Sequence, residues 1–178
     1  MTPRNAALMA EYNRWMNERM FEAAEKLDAA TLTADKGAFF GSILGTLNHI
    51  AVADTIWLHR FAQHGMGFST LGGLSGFQQP SSLTQWLAPD LAGLWCYRRE
   101  LDAIIERWAA EMTAEHLSAD LVYASMAGVR SRRSFGALLQ HFFNHQTHHR
   151  GQASTLLFQS GVDVGMTDLL AVIPRSEA

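Results

Sequence analysis

An all-α fold, an up-down-type four-helix bundle, is predicted by three features of this 178-residue chain. Four long segments carry apolar residues at helical spacing, Gly, Ser and Pro cluster between them, and strand-type patterning is confined to one short polar stretch. Apolar residues make up 48% of the chain, enough at this length to bury a sizeable core, so one domain over residues 1–178 is expected.

The first helix is predicted from about Pro3 to Leu27. Thr2 can cap it, Pro3 suits its first turn, and Met9, Tyr12, Met16, Met20, Ala23 and Leu27 line one face. The second spans about Phe39 to His64. From Gly65 to Pro89 the chain reads GMGFSTLGGLSGFQQPSSLTQWLAP, which has turn chemistry without helical period. So long a connection tends to be functional or mobile. Phe68, Phe77 and Trp86 suit either packing on the bundle, a lid over a site or a dimer contact. The third helix covers about Asp90 to Met112, with Leu94, Leu101, Ile104, Ile105 and Trp108 inward and Cys96 among them as a small buried hydrophobe. Leu117 to Ser134 holds the signals of a short hairpin turning around Ala127 and Gly128. Ser134 then caps a fourth helix that continues to about Ser160 and stops at Gly161.

That fourth helix carries His141, His145, His148 and His149. Residues three and four apart share a face, so Leu138, Phe142, His145, His149, Gln152 and Leu156 form one ridge. Imidazoles on a core-facing ridge must be hydrogen-bonded, paired or metallated to offset their desolvation. His145 and His149, spaced as HxxxH, can bind one metal ion from a single helix. On the second helix His49 shares its side with Ser42, Gly45, Thr46, Ala53 and Ile56, small residues for the most part, which allow close helix approach or a pocket. A metal site of His49, His145 and His149 is expected, against the blander alternative of half-buried histidines satisfied by carbonyls or water. His141 and His148 are expected at its rim or simply solvated. His59 and His64, near the end of the second helix, read as solvated histidines favoured by the helix dipole, and His116 as a loop residue. Asp54 reads as a helix-surface carboxylate or an orienting group, Gln152 as a hydrogen-bond partner of a ligand, and Arg150 as a solvated arginine or a holder of an anionic substrate.

Three segments then carry a family likeness: EYNRWMNER at Glu11 to Arg19, LNHIAVADTIWLHR at Leu47 to Arg60, and LQHFFNHQTHHRGQ at Leu139 to Gln152. With VGMTDLL at Val164 to Leu170, they make the chain resemble, over nearly its whole length, the DinB family, the DNA-damage-inducible, YfiT-like group of small four-helix-bundle proteins. This family is distinct from the DNA polymerase that shares its name. The resemblance implies a divalent metal held by one histidine of the second helix and an HxxxH pair of the fourth, here His49, His145 and His149. Asn13 and Trp57 match recurrent family positions that packing alone explains. Thiol S-transferases and a mycothiol-dependent isomerase in the wider superfamily imply a metal-activated thiolate attacking an electrophilic small molecule. Family habit, with the aromatic-rich connections, also implies a homodimer.

Three neutral imidazoles leave a divalent ion's charge uncancelled, so a bound water or thiol is acidified. The expected function is therefore that of a metal-dependent enzyme of thiol S-transferase or hydrolase type, with a small-molecule substrate and a low-molecular-weight thiol as a candidate partner. The alternative is a non-catalytic metal-binding protein of stress response or detoxification. Imidazole suits zinc, nickel, iron and manganese alike. Fourteen basic against seventeen acidic side chains, with no basic stripe, argue against a nucleic-acid partner. One cysteine and no apolar run of signal-peptide or bilayer-spanning type point to the cytoplasm and to no membrane partner.

Overall fold

Thr2 opens the first helix as predicted, its hydroxyl accepting the Asn5 N–H at 3.2 Å with Pro3 in the first turn. The computed structural model describes residues 1–175, and the last three of the expected 1–178 domain lie outside the described residues. In chain order the elements are α1 (Pro3–Ala24), α2 (Ala29–Thr33), α3 (Ile43–Phe61), α4 (Leu91–Ala110), α5 (Ala114–Ser118), β1 (Asp120–Ala124), β2 (Arg130–Ser134) and α6 (Phe135–Gln159). Single 3-10 segments lie at Thr70–Gly76 and Leu169–Ala171. The structure is thus mostly helical, with one small antiparallel sheet.

Long helix α1 packs on α4 and α6, and α3 packs on α6 and α4. Helices α3 and α6 run antiparallel. Phe61 meets Phe135 and Phe142, Trp57 meets His141, and His49 meets His145 and His149, so rising numbers on one helix face falling numbers on the other. Two apolar clusters result. One gathers Phe61, Trp108, Phe135 and Phe142, and the other Met16, Met20, Leu47 and Leu157. At the level between them the four long helices turn polar side chains inward: Asn13 and Asn17 from α1, Asp54 from α3, Arg98 and Asp102 from α4, and Arg150 from α6.

Several boundaries differ from the sequence expectation, each for a local reason. The second long helix begins at Ile43 rather than Phe39, because Gly37 and Gly41 adopt φ of 66° and 73° in a tight turn and Ser42 caps the helix by accepting the Gly45 N–H at 3.0 Å. The first long helix ends at Ala24, and Asp28, accepting the Thr31 N–H at 2.7 Å, starts the unforeseen short α2. Cys96 is exposed rather than inward, since the buried face of α4 runs through Leu94, Arg98, Leu101 and Ile105 and Cys96 sits on its far side. His64 is buried against Phe68 and Phe135, where a solvated histidine was expected. His116 lies in α5, not in a loop, and completes a capping box with Thr113. In the long connection Phe68 and Phe77 pack on their own molecule, while Trp86 stays exposed.

The hairpin before α6 forms as read, with Leu121 opposite Arg133 and Gly128 at φ 77° in its turn. Ser134 caps α6, and Gly161 at φ 86° follows its end. Among the described residues no helix is long and apolar enough to cross a membrane.

Candidate metal centre

The predicted ridge of α6 faces α3, with Leu138 and Phe142 buried below and Leu156 above the HxxxH pair. His149 is 9% exposed, His145 half-buried and His49 4% exposed. The fold brings these three together: one ring nitrogen from each lies within 4.8 Å of the others, and among the described residues no cysteine or carboxylate joins the group. The Nε2 atoms of His145 and His149 stand 3.1 Å apart. Ligands about 2.0–2.1 Å from a tetrahedral ion are about 3.4 Å from one another, so the donor set fits a small divalent ion.

Two of the rings are also held from their far side. His49 Nδ1 lies 3.1 Å from the Leu83 carbonyl, which can only accept, so the proton sits on Nδ1 and the Nε2 lone pair is free. His149 Nδ1 is 2.7 Å from Gln152 Oε1 and donates in the same way. The Gln152 amide nitrogen in turn lies 3.3 Å from His148 Nε2, which accepts from it. Gln152 thus bonds both His149 and the exposed His148.

Phe40 closes one side. Its ring stacks on His49 with centroids 3.7 Å apart and 16° between planes, and presents an edge to His149 at 5.5 Å. Gly45 makes this approach feasible: a Cβ there would stand 2.2 Å from the Phe40 carbonyl oxygen. The connection before α4 supplies the other support. Asn48 holds it by donating to the Gln85 carbonyl at 2.8 Å and accepting the Leu87 N–H at 3.0 Å, which sets Leu83 behind His49.

Desolvation keeps the imidazoles neutral. It is the main cause that lowers His49 to about 4, with the Leu83 bond opposing and His149 adding repulsion. Burial, then the neighbouring histidines, lower His145 to about 3. His149 is lowered by burial against the opposing Gln152 bond. Neutral nitrogens are the ligand form. His141, exposed one turn before His145 with ring centroids 6.0 Å apart, is lowered by burial and by the charge of Arg60.

Next to the centre lies a buried charge network that includes Asp54 and Arg150, read from the sequence as a helix-surface carboxylate or orienting group and as a solvated arginine or holder of an anionic substrate. Asp54, 1% exposed, pairs with Arg98 at 2.5 Å, and Arg98 also meets Asp102 at 2.9 Å. Asn13 and Asn17 donate to Asp102, and Arg150 donates to Asn13, so Arg150 is a core residue and Asn13 a polar link rather than simple packing. Burial pushes Asp102 up to about 6 against the opposing pull of Arg98, and lowers Arg150 to about 10. The contributions of Phe40 and Leu83 were not legible in the sequence. Their only signal was a pair of glycines before Ser42 and a polar Asn48 beside His49.

The family model described as DinB family matches residues 1–176. Among curated proteins, "Protein DinB" of Bacillus subtilis (strain 168) is 24% identical over 163 residues, covering 89% of this chain and 87% of the relative. No solved structure matches. Because the family model spans all four long helices and the three clustered histidines, the chain belongs to the DinB family.

Proposed function

We propose that His49, His145 and His149 hold one divalent metal ion and that the protein is a metal-dependent enzyme of thiol S-transferase or hydrolase type. The observation that carries this reading is the convergence of three neutral imidazoles from two helices, two of them oriented from behind by Leu83 and Gln152, with no fourth protein ligand in the group among the described residues. When bound, a divalent ion among three imidazoles keeps its full charge, acidifying a water or thiol ligand and polarising a carbonyl. This chain's own residues position and shield: Gln152 and Leu83 keep two Nε2 lone pairs aimed inward, and Phe40 keeps water off one face of His49. In this reading the four long helices form the four-helix bundle of the family, with the site between facing helices. A purely storage or structural role calls for a site closed by a fourth ligand, which the three-histidine group does not supply.

Elemental analysis of the untagged protein tests this directly. The expected result is about one divalent ion per chain, lost in both His49→Ala and His149→Ala. A wild-type protein that stays metal-free after incubation with zinc, nickel, iron and manganese overturns the reading.

A further inference from the structure

Along the α3–α6 seam, on the side of His141 away from His149, the hairpin stands off the two helices and leaves a cavity of about 600 Å³. Trp57 from α3, Tyr123 from β1 and Leu138 from α6 give it an apolar body. Exposed Ala137, Arg133 and His141 form its rim, and among the described residues no carboxylate lines it. Its volume falls in the range of small-molecule sites, which are mostly apolar with a few placed polar groups. His141 joins it to the three-histidine centre: its ring is 5.3 Å from Trp57 on one side and 6.0 Å from His145 on the other.

The charges around this cavity are unbalanced. Arg60 is 9% exposed, its guanidinium lies over Trp57 at 4.7 Å and over Tyr123 at 5.4 Å, and its Nε has no hydrogen-bond partner among the described residues. Buried arginines ordinarily face a carboxylate. Among the described residues neither Arg60 nor Arg133 has one: on the hairpin, Arg132 alone is paired, with Asp120 at 3.0 Å. Two unpaired cations, one behind the aromatic walls and one at the mouth, favour a negative guest.

We infer that this cavity binds the non-reacting part of the substrate, a small organic anion with a flat apolar body whose carboxylate meets Arg133 and whose other end extends past His141 to the three-histidine centre. Its link to catalysis rests on the metal-centre reading above, but the binding itself does not. The rings of Trp57 and Tyr123 supply stacking area, and Arg133 selects acid over neutral analogue.

Isothermal titration of the intact protein with 2-naphthoate and its neutral twin 2-naphthamide tests the assignment. The acid is expected to bind once per chain and about tenfold tighter than the amide, to weaken by about tenfold in Arg133→Gln, and to lose binding in Ala137→Trp, which fills the cavity from its exposed rim. Retention of naphthoate binding in His49→Gln is also expected, and it separates this pocket from the centre: a metal-free wild type would overturn the metal reading while leaving this binding intact. Equal affinity for acid and amide, no binding at all, or binding untouched by both Arg133→Gln and Ala137→Trp overturns the proposal. Binding lost in His49→Gln alone places the carboxylate on the histidines and overturns it equally.

Discussion

At the scale of single residues, His149 depends on what stands behind it. An imidazole on a core-facing ridge can point its lone pair inward or outward, and Gln152 decides by accepting the Nδ1 proton at 2.7 Å. The two are one turn apart on α6, so the same helical period that aims His149 at α3 also places its partner. Gln152→Leu keeps the shape of the side chain and removes the acceptor. We predict a loss in metal affinity of about 10–100-fold, read by competition with a chromophoric chelator, with unchanged helical content. Unchanged affinity would mean that the ring is oriented without Gln152. This pairing was legible in the sequence because both residues share one face of one helix. The proton on His49 was not, since its acceptor is the Leu83 carbonyl, thirty-four positions away on a connection with no regular period.

Among the elements, the start of α3 shows where sequence patterning stops being informative. Phe39 and Phe40 look like the first apolar residues of a helix, yet the chain turns at Gly37 and Gly41 and waits for Ser42 to cap. That delay leaves Phe40 outside the helix, folded back over its first turn, where its ring lies on His49. Gly45 is what the fold-back requires, because a Cβ would collide with backbone rather than with a side chain that can swing away. Gly45→Ala should therefore destabilise the protein by about 1–3 kcal/mol in urea denaturation despite alanine's better helix propensity, and should weaken metal binding by displacing Phe40. Stabilisation instead would show that the turn has room to relax. Caps at Thr2 and Ser134, the apolar faces of α1 and α4 and the hairpin turn were readable because each is decided within a few residues. The short α2 and α5 are not legible in the sequence because one turn of helix carries too little periodicity.

For the molecule as a whole, the polar layer joins what the two apolar clusters separate. Its charged members come from three helices: Asp54 from α3, Arg98 and Asp102 from α4, and Arg150 from α6, while α1 contributes Asn13 and Asn17. Two carboxylates and two guanidiniums share the interior, so every long helix has a hydrogen-bonded reason to keep its register beside the histidines. Reading each helix alone, Asp54 and Arg150 look like surface charges. The partner that makes their burial tolerable lies on another helix, and that information is not local. Arg98 is the hub, meeting both carboxylates. Replacing it with methionine fills similar volume but leaves two acids facing each other in a medium where charge is costly. We predict a loss of about 3–5 kcal/mol in chemical denaturation for Arg98→Met. Adding Asp54→Leu to that variant should recover part of the loss, because the remaining Asp102 keeps Asn13 and Asn17 as donors and no longer faces a second carboxylate. If the two substitutions simply added, Arg98 and Asp54 would not be coupled, and the register of α3 against α4 would have to come from the apolar clusters alone.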